Sequence, residues 1–170
     1  MKMAIDLYIL RHAIAESRET WAPKSERERP LTRKGEKEMV RVAKGMKKLE
    51  LSFDLILCSP FVRAKRTAEI VVDVFDIEER LKLSDTLTPQ SDPKKFPGLM
   101  RRLFGSSREV LLVGHEPFLS ELISLLICGD TRLHLKLKKA GLCKLTLNSA
   151  APNGGALQWL LTPAQICRIR

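Results

Sequence analysis

Two of the three histidines in this 170-residue chain close short apolar runs. Leu7-Tyr8-Ile9-Leu10 stops on Arg11-His12, and Val110-Leu111-Leu112-Val113 stops on Gly114-His115. A further run, Leu55-Ile56-Leu57-Cys58, stops on Ser59-Pro60, with Arg63 just beyond it. An imidazole can attack as a neutral nucleophile or donate hydrogen bonds as imidazolium. Guanidinium forks match the paired oxygens of a phosphoryl group, which lysine cannot reproduce. Two arginines and two histidines in one crevice make poor structural sense unless something anionic neutralises them. That chemistry is phosphoryl transfer, which asks the protein for in-line placement and for stabilisation of the equatorial oxygens. One histidine attacks while Arg11, Arg63 and the other histidine hold the oxygens. The scheme requires no metal and no cofactor, and no carboxylate cluster has metal-ligand spacing.

These residues converge only if the apolar runs are neighbouring strands. Short apolar runs bounded by charge read as buried parallel strands, and ligands of open α/β sheets gather beyond the carboxyl ends of such strands. Strand-like and helix-like segments alternate along the chain, which predicts an α/β layered domain spanning residues 1–170. Met39, Val42, Ala43, Met46 and Leu49 recur at helical spacing, behind Thr32 as a plausible N-cap. A helix is predicted from Val62 to about Phe75, and its N-terminus is expected to add backbone N–H donors to the anion site. A short helix is predicted near 98–104, and Pro117 opens another. Residues 84–97 read as loop. Two strands, 141–148 and 156–161, are predicted around a Pro-Asn-Gly-Gly turn. The polar stretch from Ala13 to Arg29, with Trp21 and Pro23, is too long for a simple connection and reads as a mobile flap or substrate-facing loop. Its Arg18, Lys24 and Arg27 read as solvated charge. Leu133-His134-Leu135-Lys136-Leu137 alternates like an edge strand, with His134 exposed and without a role.

Composition narrows the alternatives. Hydrophobic content of 44% and charged content of 29% are ordinary for a soluble globular protein. Asp6 and Arg11 interrupt the N-terminal apolar run, which does not read as a signal peptide, and no stretch is apolar for the length of a membrane span. Cys58, Cys128, Cys143 and Cys167 form no Cys-x-x-Cys pair, so reduced thiols in the cytoplasm are expected rather than zinc or disulfides. The net charge of +10 raises nucleic-acid binding, but only 5% of residues are aromatic and none interleave with a basic stretch. Surface charge plus a phosphate-sized site is the preferred account.

The motifs also resemble a known family. Leu10-Arg11-His12-Ala13, Arg29-Pro30-Leu31-Thr32-x-x-Gly35, Ser59-Pro60-x-x-Arg63-Ala64-x-x-Thr67 and Val113-Gly114-His115-Glu116-Pro117 match, in order, the histidine phosphatase superfamily, also called phosphoglycerate mutase-like. Within it the chain resembles the small phosphohistidine phosphatases of the SixA type. The resemblance implies a three-layer α/β/α sandwich with a mostly parallel central sheet. It implies that His12 becomes phosphorylated and that Arg11, Arg63 and His115 bind the phosphoryl oxygens, with Ser59 either touching phosphate or serving the turn. Ala13 stands where glycine is usual, so its backbone must avoid a conformation reserved for glycine.

Many members carry an acidic proton donor after the third helix. Asp85 is the nearest candidate here, and equally a solvated loop aspartate, while Glu116 reads as first-turn helix charge. A missing acid disfavours alkoxide leaving groups but is tolerable for phosphohistidine, whose imidazole leaves readily once protonated. The substrate class so implied is phosphohistidine on a protein. Small phosphate esters are the rival, and a phosphate-binding module without turnover is a further reading. No membrane or nucleic-acid partner is expected.

Overall fold

The computed structural model describes residues 4–21 and 24–169, so Pro23 and Arg170 lie outside the described residues. Six strands form one sheet: β1 (Ile5–Arg11), β2 (Leu55–Cys58), β3 (Leu81–Leu83), β4 (Glu109–Gly114), β5 (Leu142–Leu147) and β6 (Gly155–Leu161). Their order is β3-β2-β4-β1-β5-β6. The first four are mutually parallel, and β5 and β6 add an antiparallel hairpin beside β1.

Alternation along the central strands divides the core in two. Tyr8 and Leu10, Ile56 and Cys58, and Leu111 and Val113 face one layer of helices, α2 (Arg33–Lys48) and α3 (Val62–Phe75). Leu7 and Ile9, Leu55 and Leu57, and Val110 and Leu112 face the other, α4 (Phe96–Phe104) and α5 (Phe118–Cys128). Strands buried on both faces lose the polar alternation of a half-exposed strand, which is why they read as continuous apolar runs. The predicted three-layer sandwich is present.

Two connections place the site. After β1 the chain passes to α2 on one face, and after the neighbouring β4 it passes to α5 on the other. Adjacent strands whose continuations part to opposite faces leave a crevice at their carboxyl ends. Arg11 and Gly114 stand in register there, and the His12 N–H donates to the Gly114 carbonyl at 3.0 Å.

The start of α2 secures the loop after His12. Thr32 caps the helix, its hydroxyl accepting from the Gly35 N–H at 2.9 Å, and its own N–H donates to the Ile14 carbonyl at 2.9 Å. A Cβ at Gly35 would collide with that same carbonyl oxygen, so the glycine of the Pro-Leu-Thr-x-x-Gly motif is set by close approach.

Several expectations need correction. Residues 133–137 form no strand and pair with none, because β5 and β6 fill that side of β1; His134 is exposed as expected. β3 and the short helix α6 (Pro163–Ile166) were missed. The first is only three residues of Leu-Lys-Leu. The second is held by a reciprocal Thr162–Gln165 capping box, and its Ile166 is buried against Gly45 of α2. Residues 84–97 are less irregular than expected, with 3-10 turns at Asp85–Leu87 and Pro93–Lys95 leading into α4 at Phe96. The 13–29 loop, read as a mobile flap or a substrate-facing loop, lends Glu16, Arg18 and Arg29 to the site; Ala15 bridges Leu31, and α1 (Arg18–Trp21) and a 3-10 turn at Glu26–Glu28 lie within it.

Candidate active site

Arg11, His12, Arg63 and His115 line one cleft of about 430 Å³. Arg29 and Lys139 join them, with Glu16, Arg18, Pro89 and Glu116 at its walls. His12 is 6% exposed, Arg63 2% and His115 1%.

The backbone fixes the state of His12. Its Nδ1 lies 2.7 Å from the Ala13 carbonyl oxygen, which can only accept, so Nδ1 carries the proton. Nε2 is left with its lone pair, and the Nε–H of Arg63 donates to it at 3.3 Å. The two contacts select the same tautomer independently. Thr67 steadies this arrangement: its hydroxyl accepts from the Ala13 N–H at 3.1 Å and donates to the Arg63 carbonyl at 2.7 Å. Ala13 is absent from the residues with positive φ, as its side chain requires.

Burial sets the charge of both rings. It is the largest influence on His12, whose pKa falls to about 3, with Arg63, Arg11 and Arg29 pushing the same way and the Ala13 contact opposing them. His115 falls to about 2, again chiefly by burial, with His12, Arg63, Arg29 and Arg11 adding to it. Both imidazoles are therefore neutral at neutral pH in the empty cleft. This has a consequence for stability. The unfolded chain takes up protons near pH 6.5 that the folded imidazoles refuse, so their contribution is whole above about 6.5 and is lost as pH falls toward 3. Denaturant unfolding should show stability already declining between about pH 6.5 and 5, above the ordinary carboxylate range. A His12→Asn, His115→Gln double variant should flatten that slope; an equal slope in the variant would exclude the histidines as its source.

Ser59 stands behind His115 and does not line the cleft. Its hydroxyl is 2.9 Å from His115 Nε2 and accepts, at 3.4 Å, from the Phe61 N–H. The direct phosphate contact allowed for Ser59 is thus replaced by a contact that orients the histidine. Phe61, the N-cap of α3, takes part in the same contact. The Phe61 N–H is taken up by Ser59, and of that first turn only Arg63 reaches the cleft.

Arg63 is held by a residue that sequence reasoning passed over. Its Nη1 donates to the Glu26 carbonyl at 2.8 Å, and its Nη2 is 3.2 Å from the Glu26 carboxylate. The same carboxylate accepts from Nε and Nη2 of Arg29, whose Nη1 donates to the Glu16 carbonyl at 2.6 Å. Glu26 therefore anchors the far end of the Arg63 guanidinium while Nε faces His12. It also ties the 13–29 loop to the cleft. The hydrogen bonds from Arg29 lead in holding the Glu26 carboxyl below its usual range. Nothing in the Ser25-Glu26-Arg27-Glu28-Arg29 stretch singles out Glu26, because its meaning lies in a partner far along the chain.

Asp85 is exposed and lines no part of the cleft, and its backbone carbonyl accepts from Ser91 Oγ and the Thr88 N–H. It is not placed to donate a proton there. Glu116, read as simple helix charge, does line the cleft. Ser120 Oγ donates to its Oε2 at 2.5 Å, its Oε1 is buried without a partner, and burial raises its pKa. Among the described residues no group of three or more His, Cys, Asp or Glu side chains is placed to share a metal ion.

A fold of this topology, with this cluster at the carboxyl ends of β1 and β4, defines a phosphate-ester hydrolase of the histidine phosphatase class. A sequence model of the histidine phosphatase superfamily (branch 1) matches residues 7–88. The chain belongs to that superfamily. It is 35% identical to an uncharacterised protein of Picosynechococcus sp. over 147 residues, covering 86% of this chain and 87% of that one. It is 25% identical to the phosphohistidine phosphatase SixA of Escherichia coli, covering 95% of this chain and 96% of the other. A solved structure of the protein histidine phosphatase SixA, complexed with tungstate, superposes with a TM-score of 0.81 at 25% identity, covering 94% and 98% of the two chains.

Proposed function

We propose that this protein removes phosphoryl groups from phosphohistidine on a protein through a covalent intermediate on His12. The observation that carries this reading is the neutral His12 Nε2, unprotonated and next to Arg63 in a cationic cleft. Nε2 attacks phosphorus in line, the P–N bond of the substrate breaks, and the departing imidazole takes a proton. Water then attacks phosphorus, the P–Nε2 bond breaks, and orthophosphate leaves with His12 neutral again. Arg11, Arg63 and His115 hold the oxygens in both steps.

The proton donor in this scheme is Glu116. Of the carboxyl groups near the arginines, Glu26 and Glu116 are pushed apart by their environments: Arg29 keeps Glu26 ionised, while burial moves Glu116 toward its neutral form. Such a division is how acid and spectator roles are assigned. SixA of Escherichia coli, similar over nearly the whole chain, supports the choice of substrate. The four cysteines are free, and we place the protein in the cytoplasm on that account. No helix among the described residues is long and apolar enough to cross a membrane.

The decisive comparison is turnover of a histidine-phosphorylated protein against a panel of sugar phosphates. The phosphoprotein is expected to have a kcat/KM at least about a hundredfold higher, because an imidazole leaves more readily than an alkoxide. Faster turnover of the sugar phosphates would give preference to the ester reading.

A further inference from the structure

Residues 132–138 run as a strap without regular secondary structure from α5 toward β5, outside the sheet, and end in a turn at Lys139. Leu137 is buried in the second core and Leu135 packs against it, while Leu133, His134, Lys136 and Lys138 are exposed. From His134 to Lys136 the backbone makes no hydrogen bond among the described residues.

The strap ends at the mouth of the cleft. The Leu137 carbonyl accepts from Nη1 of Arg11 at 2.9 Å, and the Ala140 N–H donates to the Arg11 carbonyl at 3.0 Å. Lys139 itself lines the cleft. Arg132 is paired with Asp130, but Lys136, Lys138 and Lys139 have no ion-pair partner among the described residues. No acidic residue occurs from Thr131 to Ala140.

We propose that this strap docks the protein that carries the phosphoryl group, and that it takes an extended acidic stretch beside the phosphorylated residue. The proposal rests on the phosphohistidine reading, since it presumes a protein substrate. Backbone left unpaired from His134 to Lys136 offers main-chain donors and acceptors to a docked segment. Unpartnered lysines supply charge complementarity, which governs encounter and register. Lysines on such a segment also discourage self-association, and that alternative makes a different prediction.

The test uses two synthetic phosphohistidine peptides, one flanked by Asp and Glu and one by Ser and Asn, with p-nitrophenyl phosphate as a small substrate. The intact protein should favour the acidic peptide by roughly tenfold in kcat/KM at low salt, and less as salt screens the charges. Lys136→Glu with Lys138→Glu should erase that preference and leave p-nitrophenyl phosphate turnover unchanged. A preference that survives the double substitution overturns the proposal, and self-association of the variant with the preference intact assigns the lysines a protective role instead. If neither phosphohistidine peptide is turned over while p-nitrophenyl phosphate is, the substrate reading fails. Binding of the unphosphorylated acidic peptide then decides the strap: binding lost in the double variant upholds it, and absence of binding overturns it. A DNA duplex bound more tightly than the acidic peptide also overturns it.

Discussion

Replacing His12 by alanine is expected to lower turnover of every phosphorylated substrate by at least about 10⁴-fold while leaving the protein folded. The ring makes two hydrogen bonds, from Nδ1 to the neighbouring Ala13 carbonyl and to Nε2 from Arg63, which Glu26 also holds, and the backbone N–H to Gly114 is untouched by the substitution. Nε2, by contrast, is the atom the proposed bond to phosphorus requires. Quenching the wild-type protein during turnover of a labelled aryl or acyl phosphate should trap acid-labile, base-stable label on His12, and the variant should trap none. The remaining cations would still bind the phosphate, so competitive inhibition by orthophosphate should persist in the variant. Unchanged turnover without label would sink the covalent route.

Arg63→Lys is expected to lower kcat by about 10²–10³-fold, the usual cost of removing a preorganised donor from a developing charge. The guanidinium does three things at once: Nε faces His12, while Nη1 and Nη2 are fixed by Glu26. A lysine ammonium is one compact charge on a flexible stem and cannot keep both ends of that arrangement. Glu26 would stay paired with Arg29, so the loop it anchors should keep its place. Thermal protection by phosphate therefore separates a folded, slow variant from a misfolded one. A raised KM with wild-type kcat would mean that Arg63 binds substrate and transition state equally, contrary to the proposed role.

The layers were legible because each core strand is buried on both faces, so its composition alone sets it apart. Helix α3 was placed at Val62–Phe75 from spacing, and the Thr32 cap from its position before α2. β3 and α6 are too short to leave a period. The strap at 133–137 has a strand's alternation yet no partner, since pairing depends on what else occupies the sheet edge. In the site, position at or just beyond the strand ends picked out Arg11, His12, Arg63 and His115, and motif order agreed. Ser59 was found by its position, although its task differed.

What the sequence by itself determined is the chemistry: which side chains stand at the ends of the apolar runs, and hence that the cleft is made for a phosphoryl group. The tertiary structure decided how those groups are held and which acid accompanies them. It exposed Asp85, drew Glu116 into the cleft, and joined Glu26 to Arg63 across 37 positions of chain. The reason is physical. Strand ends and helix faces follow from local periodicity, whereas the charge state of a carboxyl group follows from burial and from partners that only folding brings near.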